Sequence, residues 1–147
     1  MADKSLFPYE STLHVRDTCM CLHLQRAARA AARLFDEAFR PLGLTNGQFS
    51  ILMSLNRPDP PKMGHVADFL ALDRTTLTAN LKPLERRGLV EIVPDPDDRR
   101  SRRLKLTQDG ETLLLKAFPI WRDTHAEMDR LISDPDRLRG DLLSLSS

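Results

Sequence analysis

The chain has 147 residues, of which 41% are hydrophobic and 29% charged, and its formal net charge is +1. This length and apolar content suit one folded domain, with or without helical extensions, and disfavour a disordered chain. No stretch approaches the roughly 20 apolar residues that span a bilayer, and the first residues lack the pattern of a secretory signal. Cys19 and Cys21 are the only cysteines, too few for a disulfide framework, so we expect a cytoplasmic protein without membrane association.

Positive charge is concentrated in the middle of the chain. Between residues 62 and 107, ten basic residues stand against seven acidic ones, and the run from Arg99 to Lys105 is the densest basic patch. This asymmetry fits a polyanionic partner, and it fits a solvated charged hairpin equally well. Charge alone leaves both interpretations open.

The first third of the chain predicts an arm followed by helices. Residues 1–16 show no period, which predicts a partly ordered arm. Over residues 17–40, apolar residues recur at steps of three and four, as one face of a helix requires, and Pro41 ends this helix. Thr45 and Gln48 then form the pattern of a capping box, which predicts the start of the next helix.

Two short helices follow a proline-rich break. The first is predicted over residues 62–70, and the second runs from the N-cap Asp73 to the C-capping Gly88. Only Ala71 and Leu72 separate them, and so short a link forces the sharp turn of a helix-turn-helix. The residues predicted to face the core are Met63, Val66, Phe69 and Leu70 in the first helix and Leu77, Leu81 and Leu84 in the second.

The rest of the chain predicts a β-hairpin and two helices. Residues 89–93 and 102–106 alternate as strands, and a polar, proline-containing turn joins them. A long helix follows to about residue 131, and a final helix opens at Asp134; it is too short to bury its leucines alone. Prolines inside two of the predicted helices are expected to bend them: Pro83 and Pro119.

This order of elements predicts a mainly helical fold with a small β-hairpin wing, a winged helix-turn-helix flanked by N- and C-terminal helices. The second helix of a helix-turn-helix is narrow enough to enter the major groove of DNA. Its solvent-facing side is short-chained, rich in hydroxyls and poor in acids. The candidate DNA contacts on this helix are Arg74, Thr75, Thr76, Thr78, Ala79 and Lys82.

The hairpin provides a second candidate contact. An arginine at a wing tip can enter a narrow minor groove, and a nearby aspartate can hold that side chain extended by a bidentate bond. Because side chains alternate along a strand, not all of the arginines can face DNA, and those nearest the tip are favoured. The candidates here are Asp98, Arg99, Arg100 and Arg102.

Three runs of the sequence, residues 73–78, 84–90 and 97–107, resemble the MarR family of bacterial transcriptional regulators. Leu44-Thr45 with Gln48-Phe49 also matches the opening of that family's second helix, and the similarity extends in order and spacing from Cys19 to Trp121. The family's wing pattern, aspartate, any residue, arginine, falls on Asp98 to Arg100, which makes Arg100 the preferred minor-groove residue.

The resemblance implies a homodimer that binds a pseudo-palindromic, double-stranded operator, usually as a repressor. Residues 1–44 and 108–147 would then contain the dimerisation helices, and residues 45–107 the DNA-binding region. Many members of the family release DNA on binding phenolic compounds. The candidate residues for a small aromatic effector are His23, Phe35, Phe49, Leu52 and Trp121, each of which could equally be part of the core.

An alternative is an oxidant-sensing repressor that acts through Cys21. This cysteine stands where the organic-hydroperoxide-sensing branch of the family keeps its reactive thiol. However, Phe35 and Asn46 stand where two of the tyrosines of that branch would be, so no hydroxyl supports a reactive thiolate. A buried structural thiol is the simpler interpretation, and two cysteines two residues apart on a helix would face different ways.

Two further alternatives come from other classes of protein. An enzyme needs a nucleophile with its base or a metal set, and the sequence contains no such motif; its four histidines, His14, His23, His65 and His125, have no ligand spacing. We therefore predict no catalytic residues, metal or cofactor. A winged helix that binds only proteins is the other alternative, and the arginine-dense wing argues against it; a steep salt dependence of DNA binding would separate the two.

Overall fold

The computed structural model describes residues 6–146, and it confirms the predicted mainly helical fold with a β-hairpin wing. No helix in this part of the chain is long and apolar enough to cross a membrane. The elements, in chain order, are α1 (Tyr9–Thr18), α2 (Met20–Phe39), a 3-10 turn (Arg40–Leu42), α3 (Asn46–Ser54), α4 (Met63–Leu70), α5 (Arg74–Arg86), β1 (Val90–Pro94), β2 (Arg102–Leu106), α6 (Gln108–Arg130) and α7 (Pro135–Ser146).

The chain divides after Leu34 into two compact units, and the first contains α1 and most of α2. The arm expected over residues 1–16 is wrong from Tyr9 onward, where α1 is helical; residues 1–5 lie outside the described residues. No residue of α1 is buried, so it lacks the apolar stripe that reveals a helix in a sequence. Cys19 is extended (ψ 108°) and separates the two helices, whereas the prediction had one helix from residue 17.

The second unit is built around one hydrophobic core, to which α3, α4, α5, the hairpin and α6 all contribute. The prediction that Leu77, Leu81 and Leu84 face this core is confirmed, as all three are fully buried. The prediction for Phe69 is wrong, because its side chain is 59% exposed. Ala67 is buried instead of Phe69, next to Val66, on the inner side of the short helix α4.

Local capping signals are confirmed at the N-termini of α3 and α5. Thr45 accepts a hydrogen bond from the Gln48 amide while the Gln48 side chain accepts from the Thr45 amide, so both bonds of the capping box are present. Asp73 caps α5 by accepting from the Thr76 amide at 2.7 Å. The link between α4 and α5 turns at Ala71, whose φ of 54° lies in the left-handed region.

The wing is a two-stranded antiparallel hairpin in which Val90 pairs with Leu106 and Pro94 with Arg102. Strand β1 begins one residue later than predicted. The residues before α4 extend this pairing, because Lys62 forms an isolated antiparallel bridge with Arg103. Both helices continue past their internal prolines: α5 continues past Pro83 to Arg86, and α6 past Pro119 to Arg130. A bend at either proline stays a prediction.

Candidate nucleic-acid interface

Helix α5 presents a polar face to solvent opposite its buried leucines. Its amphipathic sequence dictates this arrangement, since residues three and four apart share a face of a helix. All six side chains that the sequence singled out are exposed: Arg74, Thr75, Thr76, Thr78, Ala79 and Lys82. The helix therefore offers a continuous, solvent-accessible surface that is narrow enough for a DNA groove.

Two of the threonine hydroxyls on this face already donate hydrogen bonds within the chain. Thr76 Oγ1 donates to Asp73 Oδ2 at 3.0 Å, and Thr78 Oγ1 donates to the carbonyl oxygen of Arg74 at 2.8 Å. Hydrogen bonds from the amide and hydroxyl of Thr76 hold the pKa of the Asp73 carboxyl below its usual range. Both hydroxyl oxygens keep lone pairs that can accept a further bond.

Arg74 lies against the first turn of α4, a contact that sequence reasoning missed. A Cβ atom added to Gly64 would stand 2.8 Å from Arg74 Nη2, so the glycine leaves room for the guanidinium. The sequence signal for this contact was a glycine inside a short helix, where it is otherwise unfavourable. The contact places the charge of Arg74 at the junction of the two helices.

The tip of the wing is closed by Asp98, although not in the way predicted. Asp98 Oδ1 accepts from the backbone amide of Arg100 at 3.0 Å, and Oδ2 accepts from Ser101 Oγ at 3.2 Å. The expectation that an aspartate holds the guanidinium of Arg100 by a bidentate bond is wrong here, because a local turn bond to the backbone competes for the carboxylate. Asp98 orders the loop rather than the Arg100 side chain.

The arginines of the wing divide into outer and inner side chains, as the alternation of a strand requires. Arg99, Arg100 and Arg102 are exposed, whereas Arg103 is half-buried. Arg102 Nη1 lies 3.3 Å from the carbonyl oxygens of Arg99 and Ser101 and so folds back along the turn. Arg99 and Arg100 are left as the outermost cations of the tip.

Behind the tip lies a buried carboxylate that the sequence analysis did not single out. Asp95 is 2% exposed, with Oδ1 at 3.3 Å from Arg103 Nε and Oδ2 at 3.6 Å from Lys62 Nζ. The pKa of Asp95 is lowered, because a hydrogen bond from the Asp97 amide and the two cations outweigh the opposing effect of burial. Lys62 is far from Asp95 in sequence, so periodicity could not reveal this pairing.

Four of the five predicted effector residues lie in the second unit, where they belong to its hydrophobic core or pack against it: Phe35, Phe49, Leu52 and Trp121. Leu52 is fully enclosed, which fits the alternative that it is part of the core. Phe49 stacks on Phe39 with ring centroids 4.8 Å apart, and Phe35 packs against the same ring. Trp121 is half-buried against the core and stacks on His125, with centroids also 4.8 Å apart.

His23, the fifth predicted effector residue, lies in the first unit. It lines an open groove on α2, of about 520 Å³, together with three arginines and two alanines. The surroundings of His23 are therefore basic, which differs from the mostly apolar lining of a typical small-molecule site.

An apolar groove of about 550 Å³ lies between α3 and α6. Phe49 is the one predicted effector residue among those that line it. Its lining is otherwise apolar, with an amide and a carboxylate as the polar groups: Met53, Asn56, Glu111, Leu114, Leu115, Phe118 and Pro119. The sequence signal for this groove was Leu115 and Phe118, two large apolar residues on an exposed face of α6.

Neither cysteine is the buried structural thiol that the sequence favoured. Cys21 is exposed in the first turn of α2, and Cys19 is half-buried at the break before it. The premise that both lie on one helix is also wrong, because Cys19 caps α2 with its sulfur 3.4 Å from the Leu22 amide. Among residues 6–146, no group of three or more His, Cys, Asp or Glu side chains is placed to hold a metal ion.

The arrangement of a helix-turn-helix followed by a hairpin with an arginine tip defines a winged helix-turn-helix protein. Residues 44–101 match the family model described as the MarR family. The chain is 30% identical over 115 residues to the HTH-type transcriptional regulator PecS of Dickeya dadantii, an alignment that covers 76% of this chain and 67% of PecS. The chain belongs to the MarR family, as the sequence resemblance implied.

Two further relatives bear on the DNA-binding region. The transcriptional regulator MosR of M. tuberculosis, solved in complex with DNA, superposes with a TM-score of 0.80 at 39% identity, over 87% of this chain and 93% of that one. The transcriptional activatory protein BadR of Rhodopseudomonas palustris is 39% identical over 71 residues, which span 46% of this chain and 41% of BadR. All three relatives are transcriptional regulators by name.

Proposed function

We propose that this MarR-family regulator is a homodimeric repressor that binds a pseudo-palindromic, double-stranded operator in the cytoplasm, without catalytic activity of its own. In this proposal residues 45–107 contact DNA, while residues 1–44 and 108–147 provide the dimerisation helices. The observation that carries it is the joint exposure of the polar face of α5 and of Arg99 and Arg100 at the wing tip. The DNA complex of MosR supports the same use of the fold.

The polar face of α5 and the wing tip would contact different grooves of the duplex. Arg74, Thr75 and their neighbours on α5 are suited to base edges in the major groove, where each base pair presents a distinct pattern. Arg100 is suited to the minor groove, where negative potential favours a guanidinium. Contacts from both to phosphates would set the register of the protein on the duplex.

Support for a dimer comes from α7, none of whose described side chains is buried. Leu138, Leu142 and Leu145 are all exposed on this helix. A helix of this length gains most of its stability from packing an apolar face, so these leucines favour pairing with a second copy. A two-fold dimer would place its recognition helices about 34 Å apart, one turn of the duplex.

The test is binding to the intergenic DNA beside the gene for this chain. We expect the protein to elute as a dimer in light scattering and to shift a labelled inverted repeat, with an affinity that falls steeply as salt is added. A reporter gene placed behind that repeat should be transcribed less when the protein is present. Increased transcription would instead indicate an activator. An affinity that does not fall as salt is added would indicate a protein partner.

We further propose that a small amphipathic aromatic molecule binds the groove between α3 and α6 and releases the operator. The support is its apolar lining with few polar groups, which is typical of small-molecule sites. Salicylate and an uncharged phenol should both be titrated against operator binding. Met53→Arg, which fills the groove, should abolish the response, while Thr112→Arg adds the same charge to α6 outside the lining and should preserve it.

A further inference from the structure

Asp95 connects three parts of the DNA-binding region through one buried carboxylate. It follows β1 directly, and its backbone amide donates to the carbonyl oxygen of Ser101 at 3.2 Å, which closes the loop at the tip of the wing. Its side chain accepts from the Asp97 amide at 3.0 Å and lies beside Lys62 and Arg103. The carboxylate therefore belongs to the wing and faces cations outside its own loop.

The two cations tie the wing to the start of the helix-turn-helix. Lys62 is the N-cap residue of α4, and Arg103 lies on β2. Arg103 Nη1 donates to the carbonyl oxygen of Pro60 at 2.8 Å, and the amide of Leu104 donates to that of Pro61 at 2.9 Å. The segment before α4 is thus bound to β2 by its backbone, and Asp95 extends this contact to the tip of the wing.

The chemistry of this cluster argues against a role in stability alone. Asp95 Oδ2 and Arg103 Nε are buried and form no hydrogen bond with any described residue. Buried ion pairs of imperfect geometry contribute little net stability, because desolvation offsets the Coulomb attraction. The carboxylate also places negative charge near a surface proposed to meet phosphates, which by itself weakens DNA binding.

We infer that Asp95 is a positioning residue for DNA recognition: by holding the base of the wing tip against Lys62 and Arg103, it fixes where Arg99 and Arg100 stand relative to α5. This inference rests on the proposed DNA-binding function. The buried carboxylate makes the wing and the helix-turn-helix one rigid body, so that minor-groove and major-groove contacts form together without a further loss of wing mobility on binding.

The sign of the effect of Asp95→Asn separates positioning from electrostatics. The substitution removes a negative charge, which favours phosphate binding, but it releases the wing. We expect operator affinity, measured by fluorescence anisotropy, to fall about tenfold. Asp97→Asn makes the same change of charge two residues away, at an exposed side chain outside the cluster, and should leave affinity unchanged or raise it.

A double-mutant cycle with Arg100→Ala tests whether Asp95 acts through the wing. If it does, Asp95→Asn should cost markedly less affinity in the Arg100→Ala background than in the wild type, because one of the two contacts that it positions is already gone. Additive losses would overturn the inference. If Asp95→Asn does not fold at 25 °C, Lys62→Gln replaces it in the cycle, with Lys105→Gln as the control for the lost positive charge.

NMR relaxation gives a readout that does not depend on DNA. The backbone order parameters of Arg99 and Arg100 should fall in Asp95→Asn, from about 0.85 toward about 0.6, and stay high in Asp97→Asn. Unchanged order parameters would overturn the positioning role even if DNA binding is established. Failure of the wild-type protein to bind any operator, with the order parameters changing as expected, would overturn the proposed function instead.

Discussion

Arg87 Nη1 donates to the carbonyl oxygen of Gly43 at 2.8 Å, across 44 residues of sequence. The second nitrogen of the same guanidinium donates to the carbonyl oxygen of Leu42 at 3.3 Å. Arg87 follows the last turn of α5, and Gly43 closes the 3-10 turn after α2 with a φ of 64°. One side chain thus joins the end of α5 to the backbone turn that precedes α3.

Replacing Arg87 with alanine should lower the free energy of unfolding by about 1 kcal/mol, since it removes charge-assisted bonds to two carbonyl oxygens at the surface. Urea denaturation measures the change. Arg86→Ala is the control, because it removes the same charge from the neighbouring residue and should change stability by less than about 0.5 kcal/mol. Equal losses in the two variants would show that the bonds to the turn contribute nothing.

Gly110→Ala should destabilise the protein by about 1–3 kcal/mol, because the added methyl group overlaps its neighbours. Its Cβ would stand 2.6 Å from Leu106 Cδ1 and would also collide with the carbonyl oxygen of Leu89. Gly140→Ala is the matched control: its Cβ meets nothing within 4 Å in the described structure, and alanine favours a helix interior. Thermal unfolding should therefore show a lower Tm for the first variant and an unchanged or higher Tm for the second.

The N-cap of α5 should make stability depend on pH below the ordinary pKa of aspartate. The pKa of Asp73 is lowered from 3.8 by its bonds to Thr76, so its cap stabilises the fold fully above pH 3.8 and is lost as pH falls through the folded-state pKa. At neutral pH, Asp73→Ala should have a lower Tm than the wild type. That difference should shrink as the pH is lowered toward about 2, and a constant difference would contradict this assignment.

Arg100→Ala should weaken operator binding by about 1–3 kcal/mol per half-site while leaving Tm unchanged, because the side chain is exposed and its backbone amide keeps the bond to Asp98. The slope of affinity against salt should also become shallower. Lys116→Ala removes the same charge from an exposed position on α6 and should leave binding unaffected. Normal operator binding by Arg100→Ala would show that Arg100 at the wing tip does not contact DNA.

Arg74→Ala should relax base preference at one position of each half-site, by about 1–3 kcal/mol, if the guanidinium reads a base edge. Binding to a set of operators that differ at single base pairs measures the preference. Lys82→Ala, on the same face of α5, is expected to weaken binding to every sequence by a similar factor. A uniform loss for Arg74→Ala would identify it as a phosphate contact.

Signals that act within a few residues predicted most of the fold. The capping box at Thr45, the N-cap Asp73 and the buried leucines of α5 all follow from local spacing, and the structure has them as predicted. The exposure of Arg100 followed from the same local reasoning. Helix α1 was missed because no described residue of it is buried, so it leaves no apolar period to detect.

Features that depend on distant contacts were not predictable in this way. Asp95 pairs with Lys62, and Arg87 with Gly43, across more than 30 residues each, and nothing in the local pattern marks these partners. The lining of the apolar groove between α3 and α6 was not predictable for a related reason. Leu52 and Met53 are adjacent and similar in hydrophobicity, yet tertiary packing encloses one and leaves the other at the groove.

Thr76 donates its hydroxyl proton to Asp73, and Thr78 donates its own to the carbonyl oxygen of Arg74. These two bonds limit which base edges α5 can recognise. With those protons engaged, both oxygens can only accept, so they complement the exocyclic amines of adenine and cytosine. Arg74 carries only donors and complements the O6 and N7 atoms of guanine. The half-site is therefore expected to place a guanine near one end of the helix and amine-bearing bases beside it.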